Sequence, residues 1–171
     1  MLLTFCTSLT FAQETYKPTN RFSIVGAVKK NSVITMDSLK QYALQNIGDI
    51  KVTDHTGAFK HQDDQLKGVL LKDILSHTVF DVNSPKLLST LYFQCVGTDG
   101  YKVVYSWNEL FNTEVGNHVY IIMEKNGIKA ADMKESLQMT SMMDFKTGRR
   151  YLHNLDKIIV ASVQAPLNPP R

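Results

Sequence analysis

Residues 87–96 read LLSTLYFQCV, a run of β-formers rich enough for a central strand, and Gly97-Thr98-Asp99-Gly100 separates it from YKVVYS at 101–106. Two β-rich runs parted by a turn of this composition predict a hairpin or tight strand connection, with Gly100 supplying positive φ. The chain is thereby committed to a sheet near its middle. Directly afterwards, SWNE at 106–109 has the form of a capping box, in which the Ser106 hydroxyl takes the amide of Glu109 and Glu109 reaches back. The helix that follows is expected to bury Trp107, Leu110 and Phe111.

On the N-terminal side, RFSIVGAVKK at 21–30 sets Phe22, Ile24, Gly26 and Val28 on one face, the period of a half-buried strand, with Lys29-Lys30-Asn31 as its turn. SVITMDSLKQYALQNIG at 32–48 predicts a short strand and then a helix capped by Thr35 or Asp37. Leu39, Tyr42 and Ala43 recur there at helical spacing, and Gly48 falls just past the end. IKVTD at 50–54 is a short β-branched strand. The polar stretch at 55–67 is turn-rich and reads as a flexible loop with room for a strand over 58–61. Leu70, Leu71, Ile74 and Leu75 make a wide apolar stripe and predict a helix within 68–77. Asn83-Ser84-Pro85 then breaks the chain before the central strand.

Beyond the capping box, NHVYIIMEKNG at 117–127 alternates into a strand that ends at an Asn126-Gly127 turn, and LDKIIVASVQ at 155–164 is a closing strand. Between them, SLQMTSMMD is an apolar run of either helix or strand type, and GRRYLHN is a basic turn or a single helical turn. The tail APLNPPR carries three prolines and cannot pair in a sheet interior. No repeat or linker divides the chain, and 171 residues at 43% hydrophobic and 20% charged suffice for one buried core. The formal charge is only +3 and the cations are scattered rather than gathered into a stripe, which argues against nucleic acid as a partner.

The first twelve residues, MLLTFCTSLTFA, carry no charge, and their apolar run is too short to span a bilayer. They read as the h-region of a secretory signal, whole or truncated, with Thr10 and Ala12 at the small-residue positions before Gln13; the usual positively charged n-region is missing. The expected organisation is a signal at 1–12, an N-terminal extension at 13–21, one domain at 22–163 and a proline-rich tail at 164–171. A periplasmic or secreted location follows from that reading, with no integral membrane segment in the mature chain. Loss of the signal removes Cys6 and leaves Cys95 without a disulfide partner. Sharing a strand face with Leu91 and Phe93, Cys95 is expected to be buried as a small hydrophobe.

A set of segments in one order resembles the molybdopterin-binding domain of the sulfite oxidase family. They are FSIVGAV followed by ITMDSLKQY, then GVLLKDIL, VGTDGYKVVYSWNELFN, IIMEKNG and GRRYLHNLDKIIVASV. The resemblance spans residues 22–163. It implies an α+β fold of mixed sheets, with a β-grasp-like portion and a few peripheral helices. It also implies a molybdenum cofactor held through its pterin and phosphate, with a cysteine thiolate on the metal. In the family that cysteine precedes the segment matched by GVLLKDIL, and the corresponding interval, 46–67, contains none. Cys95 lies one structural element too late. Within SLQMTSMM, where cofactor-bearing members have a proline-flanked Pro-Leu-Arg-like run, Gln138 stands at the arginine position. No cofactor is therefore expected here.

The resemblance matches Gly148-Arg149-Arg150-Tyr151-Leu152-His153 to a segment that approaches the cofactor phosphate, and an arginine fork suits phosphate or carboxylate. Arg149, Arg150, His153, Asp99, Tyr101 and His55 are accordingly the expected lining of a cleft, although Asp99 in its turn also suits a bond to its own backbone. Asp54, His55, His61, Asp63 and Asp64 lack the spacing of a metal site. Met139, Met142 and Met143 fit core packing. The expected function is a non-catalytic, exported relative of the molybdopterin domain that binds a small anionic ligand or a periplasmic protein partner in the ancestral cofactor cleft. The alternative is a molybdenum oxidoreductase with an altered metal ligand.

Overall fold

The first alternation becomes strand β1 (Arg21–Gly26), which turns Phe22 and Ile24 inward, in a computed structural model that describes residues 18–163. Gly26 ends the strand: its φ is +100°, and a Cβ there would lie 2.2 Å from the Val160 carbonyl oxygen. Pairing beyond it shrinks to a single bridge between Val28 and Phe80. β2 (Ser32–Thr35) folds back on β1, and Thr35 then caps α1 (Met36–Leu39) through a capping box with Ser38. The helix is one turn long and stops well short of Gly48. Gln45 to Thr53 are instead drawn into β3, because their backbone pairs with the following strand and that pairing overrides local helix propensity.

The segment expected to be a polar loop is the first part of β4 (Phe59–Leu70), a strand of 12 residues. Its last four residues, Lys67, Gly68, Val69 and Leu70, pair with β7 (Val119–Lys125), so α2 starts only at Leu71 and runs Leu71–Leu75. β5 (Leu91–Gly97) and β6 (Lys102–Ser106) form the expected hairpin, with Gly100 at φ +80°. Ser106 and Glu109 exchange both bonds of the capping box at the head of α3 (Trp107–Phe111). Leu110 is fully buried there, while Trp107 and Phe111 pack against the core partly exposed. Asn126 and Gly127, both at positive φ, turn β7 into β8 (Ile128–Lys129). β9 (Gln138–Ser141) and β10 (Leu155–Ser162) complete the set.

These elements make an α+β fold of two sheets. The first has the order β2-β1-β10-β5-β6 and is mixed, since β1 and β10 run parallel and the other pairs antiparallel. The second runs β3-β4-β7-β8, with β9 also on β7, and is antiparallel. Phe22, Phe93, Cys95 and Ile158 from one sheet meet Val69, Ile121 and Met139 from the other in the main core, closed by α2 and α3. Strand alternation sends Ile122, the neighbour of Ile121, to the opposite face, where it joins Ile50, Val52, Leu66 and Tyr151 in a smaller cluster. That outer cluster matters because Tyr151 is carried by the segment expected to approach a ligand. Residues 1–12 and 164–171, expected as signal and tail, lie outside the described residues. Among the described residues no helix is long and apolar enough to cross a membrane.

Candidate functional site

The short 3-10 turn at Thr147–Arg150 is pinned flat on β3: the Thr53 amide donates to Thr147 Oγ1 at 3.1 Å, and that hydroxyl donates to the Lys51 carbonyl at 2.7 Å. Gly148 permits the approach, since a Cβ there would fall 1.9 Å from the Thr53 carbonyl oxygen. On its other side the turn meets the β5–β6 hairpin, whose Tyr101 hydroxyl donates to the Arg149 carbonyl at 2.7 Å. Between the β3–β4 tip, the β5–β6 tip and the 148–153 segment lies a polar cleft of about 320 Å³.

Four of the expected residues line it: His55, Asp99, Tyr101 and His153; Lys60, His61 and Tyr151 join them. Arg149 and Arg150 do not. Arg149 sits at the edge, where its guanidinium donates to the His55 carbonyl at 3.2 Å and steadies that loop. The expectation that Arg150 lines the cleft requires correction, because its guanidinium is committed inside the fold. It clasps Asp144 with two bonds, at 2.8 and 2.5 Å, donates to Glu109 at 3.1 Å, and lies 4.4 Å from the centre of the Tyr105 ring. Carboxylate bonding, above all to Asp144, raises its pKa still further, so the charge is permanent.

The cleft's two carboxylates are also spoken for. Asp54 Oδ1 accepts from the Thr56 hydroxyl at 2.6 Å and from the amides of Thr56, Gly57 and Ala58. These bonds, the Thr56 hydroxyl first, hold its pKa down at about 2. Asp99 Oδ1 accepts the amide of Tyr101 at 2.8 Å, the local turn bond. These bonds fix how the two carboxylates are turned and leave their negative charge in the lining.

Beneath the cleft lies a buried polar network. Asp63, its side chain 5% exposed, accepts from the Tyr151 hydroxyl at 2.7 Å and lies 3.4 Å from His61 Nε2 and 3.6 Å from Lys125 Nζ. Lys125 in turn donates to Gln138 Oε1 at 2.9 Å. Burial, reinforced by Asp63, raises the Tyr151 pKa, so the phenol keeps its proton and acts as a donor. His153 stacks near Tyr151 with 5.1 Å between centroids; burial lowers its pKa, against the opposing pull of Glu135. Its Nδ1 is 2.7 Å from Glu135 Oε2 but makes no hydrogen bond among the described residues. Sequence reasoning missed Lys60, Lys125 and Tyr151, and it took Asp63 for a loop residue. The sequence carries no local signal for Asp63, whose place opposite the apolar Ile50 is set by the β3–β4 register.

No sulfur atom of the described residues belongs to the cleft lining. Cys95 is fully buried in the main core on β5, opposite Ile158 and Val103, and burial pushes its thiol up to about 12. Among the described residues no group of three or more His, Cys, Asp and Glu is arranged to hold a metal ion. The donor set therefore does not suit a molybdenum centre that needs a protein thiolate. A thiol reagent is expected to label Cys95 slowly in the native protein and quickly after denaturation, and rapid labelling of folded protein would contradict this burial.

No family model matches the chain, and no curated protein matches it. Among solved structures, the sulfane dehydrogenase SoxCD from Paracoccus pantotrophus superposes with a TM-score of 0.61 at 12% identity, over 88% of this chain and 41% of that one. This chain thus spans less than half the length of that neighbour. At such identity the likeness shows a shared fold and no more, which places the two-sheet α+β architecture among known structures.

Proposed function

We propose that this protein is a relative of the sulfite oxidase-type molybdopterin domain, with the family's β-grasp-like portion, that works without the redox cofactor and binds a small anion in its cleft. The observation that carries the reading is the set of donors in the lining. Lys60 and three histidines face the cavity, while Asp54 and Asp99 turn their bonded Oδ1 atoms to their own loops. A phosphate or small carboxylate would find donors on both walls, His55 and Lys60 on one and His153 on the other, while the Tyr101 hydroxyl stays on the Arg149 carbonyl. The likeness to an oxidoreductase by fold supports descent from such a scaffold but does not license an activity. Export to the periplasm is part of the same proposal and rests on residues 1–12 alone.

The second reading is a molybdenum oxidoreductase with an altered ligand, and the name of the structural neighbour favours it. Against it stand the sulfur-free lining and the buried Cys95. Titration with inorganic phosphate and with a small dicarboxylate tests the first reading. Lys60→Ala is expected to weaken binding roughly tenfold, the loss of one charge-assisted hydrogen bond. No binding of either ligand, or binding indifferent to Lys60, would remove the anion site.

A further inference from the structure

A second cavity, of about 390 Å³, shares no lining residue with the polar cleft. Its walls come from α1 and the turn after it (Met36, Leu39, Tyr42, Leu44), from Val69 of β4, from Met123 of β7, and from Ala130 and Ala131 beyond β8. Leu39, Val69 and Ala130 are buried and make an apolar floor, while Leu44 is 55% exposed at the rim. The cavity opens to solvent on one side, and an apolar cleft of this size suits a small ligand with an apolar body.

The charges at its mouth are not balanced. Lys40 pairs with Asp37 at 2.7 Å and Glu124 with Lys67 at 2.8 Å. Lys129, which also lines the opening, has no partner among the described residues. The Lys40–Asp37 pair is exposed and weak, so Lys40 can turn to a ligand at little cost. An occupant that complements this site has an aliphatic body for the floor and a single negative head for the lysine rim. We propose that the cavity binds a free medium-chain monocarboxylate, its chain against Leu39, Val69 and Met123 and its carboxylate at Lys129.

The site is independent of the anion cleft, and the experiment separates the two. Full-length protein is titrated with dansyl-undecanoate, read by its fluorescence blue shift, and bound probe is then displaced with decanoate, decanol or butyrate. Displacement by decanoate is expected at concentrations at least tenfold below those needed for decanol, which lacks the head, or butyrate, which lacks the chain. Lys129→Glu reverses the rim charge and is expected to weaken probe binding at least tenfold. Ala131→Trp, at an exposed position, fills the mouth and is expected to abolish the blue shift. Both variants are expected to melt within a few degrees of the parent and to bind phosphate unchanged. Equal competition by decanol overturns the carboxylate assignment. Probe binding that ignores both substitutions overturns the site, and so does a stable dimer in sedimentation that Ala131→Trp dissociates, which would make a second copy the occupant.

Discussion

Arg150→Ala is expected to lower the melting temperature by roughly 6–12 °C, whereas Arg149→Ala, one residue earlier, shifts it by no more than about 2 °C. The two arginines are neighbours in one basic turn, but their surroundings differ. Arg150 is 22% exposed and holds Asp144, itself 11% exposed, in a two-bond clasp. It also joins Glu109 to the face of Tyr105. Truncation strands the Asp144 carboxylate with, among the described residues, only the Ser141 hydroxyl as a side-chain partner, at 2.9 Å. Removing one member of a buried pair costs about 3–5 kcal/mol, and the partial exposure here points to the lower end, near 3. Arg150→Lys keeps the charge but not the planar fork, so it is expected to recover only part of the loss. Arg149 makes one 3.2 Å bond from an exposed position. Equal melting temperatures for the two alanine variants would contradict this division of roles.

Asp63→Ala is expected to be as damaging, by roughly 3–5 kcal/mol in urea unfolding. The carboxylate is the nearest counter-charge to Lys125, whose side chain is 16% exposed, and it is the acceptor for the Tyr151 hydroxyl. Without it, a nearly buried ammonium and a buried phenol are both left short of partners. Asp63→Asn keeps an acceptor for Tyr151 and is expected to cost less. The double change Asp63→Leu with Lys125→Met removes both charges together and is expected to recover most of the loss, because the desolvation penalty disappears with the pair. Since Tyr151 and His61 both touch the cleft and Asp63, phosphate affinity should fall in Asp63→Ala even at low temperature where the protein is folded. A loss under about 1 kcal/mol would show that the network is not a structural element.

Features of the fold that depend on a few adjacent residues were legible in the sequence. The Asp99-Gly100 hairpin, the Ser106–Glu109 capping box and the Asn126-Gly127 turn stand as read, since each is fixed by its own backbone and side chains. Long-range pairing accounts for the differences. β4 hid its length because Gln65, at φ +53°, inserts a bulge that changes the phase of the strand. Asp63 and Leu66 therefore face inward three residues apart, a spacing that no two-residue alternation reveals. Val69 and Leu70 belonged by pattern to a helix and by pairing to the sheet. The cleft was partly visible: His55, Asp99, Tyr101 and His153 converge from three segments far apart in the chain. Arg149 and Arg150 were not separable, because what distinguishes them is Asp144 and Glu109 arriving from elsewhere. The apolar cavity drew on α1, β4, β7 and the residues after β8, so no single stretch announced it.

The central claim is that a fold shared with a dehydrogenase here carries a cleft with no thiolate to hold a metal. Metal analysis of the full chain, purified from a host that makes the molybdenum cofactor, tests it most directly. Molybdenum far below one atom per chain is the predicted result. A near-stoichiometric content, retained through gel filtration, would contradict the account.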